Sequence, residues 1–426
     1  MVKAKAQALV RRLGPGLITG AADDDPSGIA TYSQAGAQFS FGLVWTLLIT
    51  TPLMIGIQML SARIGWVTNQ GLTSNINRVF PRWATGALVG LLLVANTINI
   101  AADISAMAEA MRLLKPGSNA IYVFGIGLFC IVTQVLFSYE GTVRFLKWLT
   151  LGLFAYVAVL LNMHIPWQRV WNESIHPLDV LNQGISVQNY AAMVVAVLGT
   201  TISPYLFFWQ AAQEVEDANR RPEAQQLKGH PAYDAEHLYR IKEDTFVGMT
   251  FSNLIALCIV IATAVTLHDN GITHIETSAQ AAQALRPVAG EFAFAAFALG
   301  IIGTGLLAVP VLAGSAAYAL SEFQGWRAGL SHDFHEAKGF YLIIILATGL
   351  GALLGYHEVD PMRMLVWSAI VNGVIAVPIM VTLMWIGQSE KIMGQHTISG
   401  WLKTIGWLAT GLMAVAVVGL LITTFA

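Results

Sequence analysis

Apolar residues run along this chain of 426 residues in long stretches, joined by short polar segments. Eleven stretches are long enough for helices that cross a bilayer, which need about 20 apolar residues each. They fall at roughly 14–39, 42–66, 83–111, 119–139, 143–165, 187–217, 242–268, 291–322, 339–357, 362–387 and 401–425. The longest polar stretch, 214–244, holds 13 of the 48 charged residues together with Pro222 and Pro231, and reads as a solvated loop. The pattern predicts an all-α polytopic membrane protein with 11 transmembrane helices and one transmembrane domain over 1–426.

Two of the stretches are interrupted. The first carries Asp23-Asp24-Asp25-Pro26-Ser27-Gly28 in its middle. A carboxylate facing lipid at mid-membrane costs about 3 kcal/mol on insertion scales, so three in a row call for another environment. Proline removes a backbone donor and glycine loosens the helix beside it. The carbonyls so freed need a partner, and a cation is a suitable one. The sixth stretch carries Gly199-Thr200-Thr201-Ile202-Ser203-Pro204-Tyr205, again polar residues around a proline. Taken alone, Pro204 is a common structural kink. Breaks in spans one and six, five spans apart, are the pattern of a 5+5 inverted repeat with its site at the midplane. The repeats would be 1–165 and 187–387, with 401–425 as an extra helix.

Composition agrees with a membrane protein. The chain is 55% hydrophobic and 11% charged, against about 25% charged in soluble domains. A net charge of −2 gives no basic surface for nucleic acid. Cys130 and Cys258 lie in apolar runs and make no metal or disulfide framework. The basic start, Lys3 to Arg12, is not followed by a signal-peptide core, because the next apolar run meets the aspartates. With the N-terminus inside and eleven alternating spans, 18 Lys and Arg fall inside and 5 outside, as the positive-inside rule requires. The C-terminus is then outside. Neither a zinc motif nor a pair of protease aspartates on separate spans is visible, so no enzyme is expected.

Around these breaks the sequence resembles the Nramp family of divalent-metal transporters. The likeness is clearest from Gly14 to Arg78, through Leu43-Val44-Trp45, Gln58 and Ala62-Arg63-Ile64-Gly65, and returns at Ala102-Asp103-Ile104 and at Gly199 to Tyr205. It implies a LeuT-type fold with helices 1 and 6 discontinuous. The family breaks its first helix at Asp-Pro-Gly-Asn and its sixth at Ala-x-x-Met-Pro-His. Here Asp25 keeps the metal-binding carboxylate, Gly28 replaces the asparagine ligand and Ser203 replaces the methionine ligand. The carbonyl ligand would fall at Thr200, the histidine becomes Tyr205, and Asn372 lies near the family's glutamine in the tenth span. Asp24 would add a direct or water-mediated ligand.

The departures change the implied chemistry. A thioether favours transition metals over hard cations. Without it the set is all oxygen, which magnesium accepts while keeping several waters. Glycine and serine would also widen the cavity. The resemblance is therefore to the Nramp-related magnesium transporter branch, and implies inward Mg2+ transport, with Mn2+ also carried, in a bacterial inner membrane. Mg2+ or Mn2+ is substrate; no cofactor and no obligatory protein partner is implied, only the ion and membrane lipid. Tyr205 for histidine, and Ala106 where the third span should carry a glutamate, imply weak or absent proton coupling. Asp103 is kept. A dication falling through about 100 mV still gains about 4.6 kcal/mol, roughly a thousandfold accumulation. The alternatives are a proton-coupled Mn2+/Fe2+ importer and a carrier of organic amines or amino acids on the same fold.

Overall fold

In the computed structural model, residues 15–136, 153–219, 229–356 and 360–425 are described. These residues form helices joined by turns. The first stretch is α1 (Pro15–Asp23) and α2 (Pro26–Phe39). Then come α3 (Val44–Thr68), α4 (Leu72–Val79), α5 (Arg82–Leu114), α6 (Asn119–Leu136), α7 (Phe154–Asn162) and α8 (Trp167–Ile175). The second half holds α9 (Val187–Thr201), α10 (Pro204–Asn219), α11 (Pro231–Thr266), α12 (Ala293–Gln324), α13 (Lys338–Gly355), α14 (Pro361–Gln388) and α15 (Gly400–Phe425).

Among the described residues, nine helical stretches are long and apolar enough to cross a bilayer. The broken first span is a tenth: α1 and α2 together have 9 and 14 residues, about 34 Å of helix at 1.5 Å per residue. Of the expected fifth span, α7 is described, and 143–152 lie outside the described residues. So do Glu140, the basic residues Lys3, Lys5, Arg11, Arg12, Arg144, Lys147, Arg220, Arg221 and Lys228, and Pro222. Both expected interruptions are present, between α1 and α2 and between α9 and α10. The short helices α4 and α8 escaped the apolar pattern because each is mostly polar.

The broken helices sit at the centre, and small residues let them approach their neighbours. A methyl group on Gly20 of α1 would lie 2.3 Å from the Gly248 carbonyl oxygen of α11, and one on Gly16 would lie 2.8 Å from the Thr245 amide. One on Gly199 of α9 would lie 2.1 Å from the Ala369 carbonyl of α14. Lipid offers no hydrophobic drive between helices, so such close contact and hydrogen bonds hold them. Gln58 of α3 donates to Leu206 O (2.9 Å) and Gln210 Oε1 (2.6 Å) on α10, and Ser61 donates to Phe207 O. Gly351 and Gly355 of α13 pack on Ile100 and Ala101 of α5, whereas Gly349 has nothing within 4 Å.

The polar stretch 214–244 is not simply a solvated loop. The seventh span begins at Pro231, eleven residues before the expected 242, and α10 runs on to Asn219. Glu214 and Asp244 are buried. Charge pairing explains it: Arg240 reaches Glu214 at 2.6 Å and Asp217 at 3.5 Å, and Asp234 meets His396 at 3.0 Å. Glu109, near the end of α5, accepts from the Ser278 amide (3.1 Å) and hydroxyl (2.7 Å).

Candidate metal site

At the first break Pro26 has no amide hydrogen, so it opens α2 as an N1 residue. Asp25 is the N-cap, with extended backbone (φ −70°, ψ 171°). Its Oδ1 accepts the Gly28 amide at 2.6 Å, a bond that satisfies one orphan donor of the new helix. The Ala22 carbonyl, left over at the end of α1, lies 3.2 Å from the Tyr205 hydroxyl of α10.

The second break is resolved locally. Ile202 leaves helical geometry (φ −118°, ψ 65°) and Pro204 starts α10. The last carbonyls of α9 lie against the Ser203 hydroxyl, at 2.8 Å for Gly199 and 2.9 Å for Thr200. Thr201 donates to Val197 O at 2.9 Å. Each carbonyl and the Ser203 oxygen keeps a lone pair for a further partner.

The breaks meet at Asp25. Its Oδ2 lies 3.1 Å from Asn99 Nδ2 of α5 and 3.3 Å from the Tyr205 hydroxyl. The single Tyr205 hydrogen serves Ala22 or Asp25, one at a time. A methyl group on Gly28 would lie 3.2 Å from Thr200 Oγ1, so α2 and α9 touch there. Ser27 donates to Leu365 O (3.0 Å) and lies 3.2 Å from the Ser368 hydroxyl of α14. Asn372 is one turn further along α14, buried, with Oδ1 unpartnered. Asp25, Gly28, Thr200, Ser203 and Tyr205 thus form one group, and Asn372 stands on the adjoining helix.

Asp24 turns elsewhere. Its Oδ1 and Asp23 Oδ2 converge on the Ser252 hydroxyl of α11, at 3.2 and 2.5 Å. Nor does Gly28 widen the cavity, as expected of a lost side chain: Thr200 Oγ1, the Asp23 carbonyl and Tyr32 stand within 3.3 Å of where its Cβ would be. The second break has closed on the space. Asn99 and Ser252 were not singled out in the sequence. Asn99 lies four residues before Asp103, one turn along the same helix, which was the only signal for it.

Asp23, Asp24, Asp25 and Asp103 are at most 2% exposed. Among the described residues no ion pair includes any of them. Among the described residues Asp23 Oδ1 has no hydrogen-bond partner, and the Ser27 backbone amide is the donor nearest Asp103. The C-terminal ends of α1 and α9 bring negative dipole ends to the same region, and the N-terminal ends of α2 and α10 bring positive ones, which Asp25 caps at α2. Buried charge without a counter-charge is costly, and a dication would neutralise two units of it. A second acidic cluster, Glu214, Asp217 and His237, already has a cation: Arg240 Nη2 lies 2.6 Å from Glu214, 3.5 Å from Asp217 and 2.9 Å from His237.

Two cavities approach from opposite ends. One of about 480 Å3 lies among Gln34, Asn189, His274, Glu276 and Arg363. The other, about 540 Å3, lies among Gln70, Glu216, Tyr318, Glu322 and His332. Asp25 lines neither.

A family model described as Natural resistance-associated macrophage protein-like matches residues 16–423. A divalent metal cation transporter MntH of Klebsiella pneumoniae subsp. pneumoniae is 26% identical over 410 residues, 93% of this chain and 90% of that one. The MntH of Caldanaerobacter subterraneus subsp. tengcongensis is 25% identical over 395 residues, 90% of this chain and 86% of that one. The solved manganese transporter of Eremococcus coleocola superposes with a TM-score of 0.70 at 17% identity, over 98% of this chain and 86% of that one. Mhp1, a nucleobase-cation-symport-1 transporter in a closed conformation, gives 0.57 at 12% identity, over 96% and 90%. These likenesses show the fold: an all-helical LeuT-type transporter architecture with both central helices broken.

Proposed function

The chain belongs to the Nramp family, and from that premise we propose that it carries divalent metal cations inward across a membrane by alternating access. The observation behind the reading is Asp25, a buried carboxylate capping one broken helix while within hydrogen-bonding reach of the other. The MntH relatives are named as divalent metal cation transporters, and the fold neighbour as a manganese transporter. The sites proposed for the ion are Asp25, Thr200 O and Asn372, with Ser203 holding the Thr200 carbonyl, Tyr205 orienting Asp25 and Gly28 letting the two breaks touch. Asp24 acts through Ser252, on the α11 side.

Within that reading we propose hard-ion tolerance. The polar groups at the breaks offer oxygen only, with Ser203 where the family has its thioether. Such a set does not reject magnesium in favour of manganese. Both ions are then substrates, and the positive-inside bias of Lys and Arg supports a cytoplasmic N-terminus. The test is uptake of Mn2+ into proteoliposomes with Mg2+ in about hundredfold excess, enough to outcompete a site that binds the two alike. Strong inhibition is expected; undiminished Mn2+ uptake refutes magnesium as a substrate.

A second reading, proton-coupled Mn2+ import, is favoured by Asp103, buried in α5 with no cationic partner among the described residues. It predicts metal-dependent acidification of the vesicle lumen, abolished in Asp103→Asn. Electrogenic uptake without acidification selects the uncoupled carrier.

A further inference from the structure

Asn99 is fully buried in α5. Among the described residues its side chain makes one hydrogen bond, from Nδ2 to Asp25 Oδ2 at 3.1 Å, and its Oδ1 has no partner. A buried carbonyl left unsatisfied costs about 1–3 kcal/mol, so something should repay it during the working cycle. Four other buried asparagines leave Oδ1 open: Asn372 stands beside the proposed site, Asn75 is held by Thr68, Gln70 and Gly71, and the remaining two are each anchored by two contacts to a neighbouring helix. Asn96 donates to Leu312 O and Ser315 Oγ, and Asn253 to Leu47 O and Thr51 Oγ1. Bracing explains those two. The single anchor of Asn99 is the carboxylate that an incoming cation would claim, so it cannot serve as a brace once the site is loaded.

Resting on the divalent-cation reading above, we propose that Asn99 is a direct ligand of the transported ion and supplies the amide oxygen that position 28 cannot. Any side chain at 28 would press on Thr200 Oγ1 and the Asp23 carbonyl. Asn99 reaches the same carboxylate from another helix. A carboxamide carries a donor and an acceptor on one planar group. In the empty site Nδ2 faces Asp25 and holds its charge. When the ion arrives, a half-turn of the amide brings Oδ1 to the metal and withdraws the donor that would repel it. A neutral oxygen of this kind suits Mg2+ and Mn2+, and places part of the ion's recognition on the third span.

The test is metal titration on the purified full-length protein in lipid nanodiscs, with Mg2+, Mn2+ and Cd2+, for wild type, Asp25→Ala and three variants of Asn99. Asn99→Leu is expected to weaken Mg2+ and Mn2+ binding about tenfold. Asn99→Asp keeps the shape and the acceptor, and should bind Mg2+ at least as tightly as wild type. Asn99→Cys puts a soft donor at the ion, so Cd2+ should gain about tenfold over Mn2+. It should also show a thiolate-to-cadmium ultraviolet band above that of wild type, which already holds Cys130 and Cys258, and lose the band when Asp25→Ala is added. A structural role would not create that band. The proposal is overturned if wild type binds Mn2+ but the cysteine variant shows neither the band nor the gain, or if Asn99→Asp binds Mg2+ more weakly. If wild type binds none of the three ions, the parent reading falls as well, so the two failures are distinguishable.

Discussion

The two helix breaks are built from different chemistry. The first concentrates charge and sends its needs outward: Asp25 relies on Asn99 and Tyr205 for Oδ2, Ala22 on Tyr205, and Asp23 and Asp24 on Ser252. The second carries no charge and settles its own carbonyls with the hydroxyls of Thr201 and Ser203. An interruption that is satisfied within its own span can hold its shape with or without an ion. One whose partners lie on three other helices has a geometry that depends on where those helices stand. On the proposed reading, the first break would couple ion binding to helix position, and the second would serve as the wall against which it works.

The largest effect should come from the charge itself. Asp25→Ala is expected to weaken divalent-ion binding by a hundredfold or more, since losing the partner of a buried ion costs about 3–5 kcal/mol; isothermal titration reads this directly. A smaller effect comes from the point where the breaks touch. Gly28→Ala gains at most about 1 kcal/mol of helix propensity but overpacks Thr200 at about 1–3 kcal/mol. The net is a loss, read as a fall in melting temperature of about 2–4 °C. The matched variant Gly90→Ala, where nothing lies within 4 Å, should not fall at all. Tyr205→Phe removes one hydroxyl shared by Ala22 and Asp25, worth about 1 kcal/mol, or roughly fivefold in affinity. The smallest effect should be Ser203→Ala. Intramembrane hydrogen bonds average about 0.6 kcal/mol, so binding should change by less than about threefold. A larger loss for Ser203→Ala than for Tyr205→Phe would reverse the contrast between the breaks.

Much of this architecture was legible in the sequence. The spans were visible because a bilayer helix must be apolar over most of its length, and the breaks because aspartates and prolines are conspicuous there. What hydropathy cannot show is pairing between helices. Arg240 and Glu214 looked like loop residues because each is costly alone, and only their contact lets α11 start at Pro231. The same holds for the aspartate run. Its presence in the membrane was evident, but the divergence of Asp24 towards Ser252 and Asp25 towards Asn99 depends on residues more than 70 positions away. The glycine at 28 misled for a related reason: a missing side chain suggests room, whereas a neighbouring helix had moved in.

The seam between Gly16 and Gly20 of α1 and Gly248 of α11 brings two backbones together, with the Asp244 carboxylate and the Ser252 hydroxyl of α11 bonded across it. The nine residues of α1 make a stiff rod about 13 Å long, ending where the helix breaks at Asp24 and Asp25, and tied in its first turn by the Gly16 amide on Asp244. A tilt of about 20° swings the tied end by roughly 5 Å, more than the ~2.8 Å width of a water molecule. Such a tilt would have to release the Gly16–Asp244 and Ser252–Asp23 bonds together, and would open the aspartates to water.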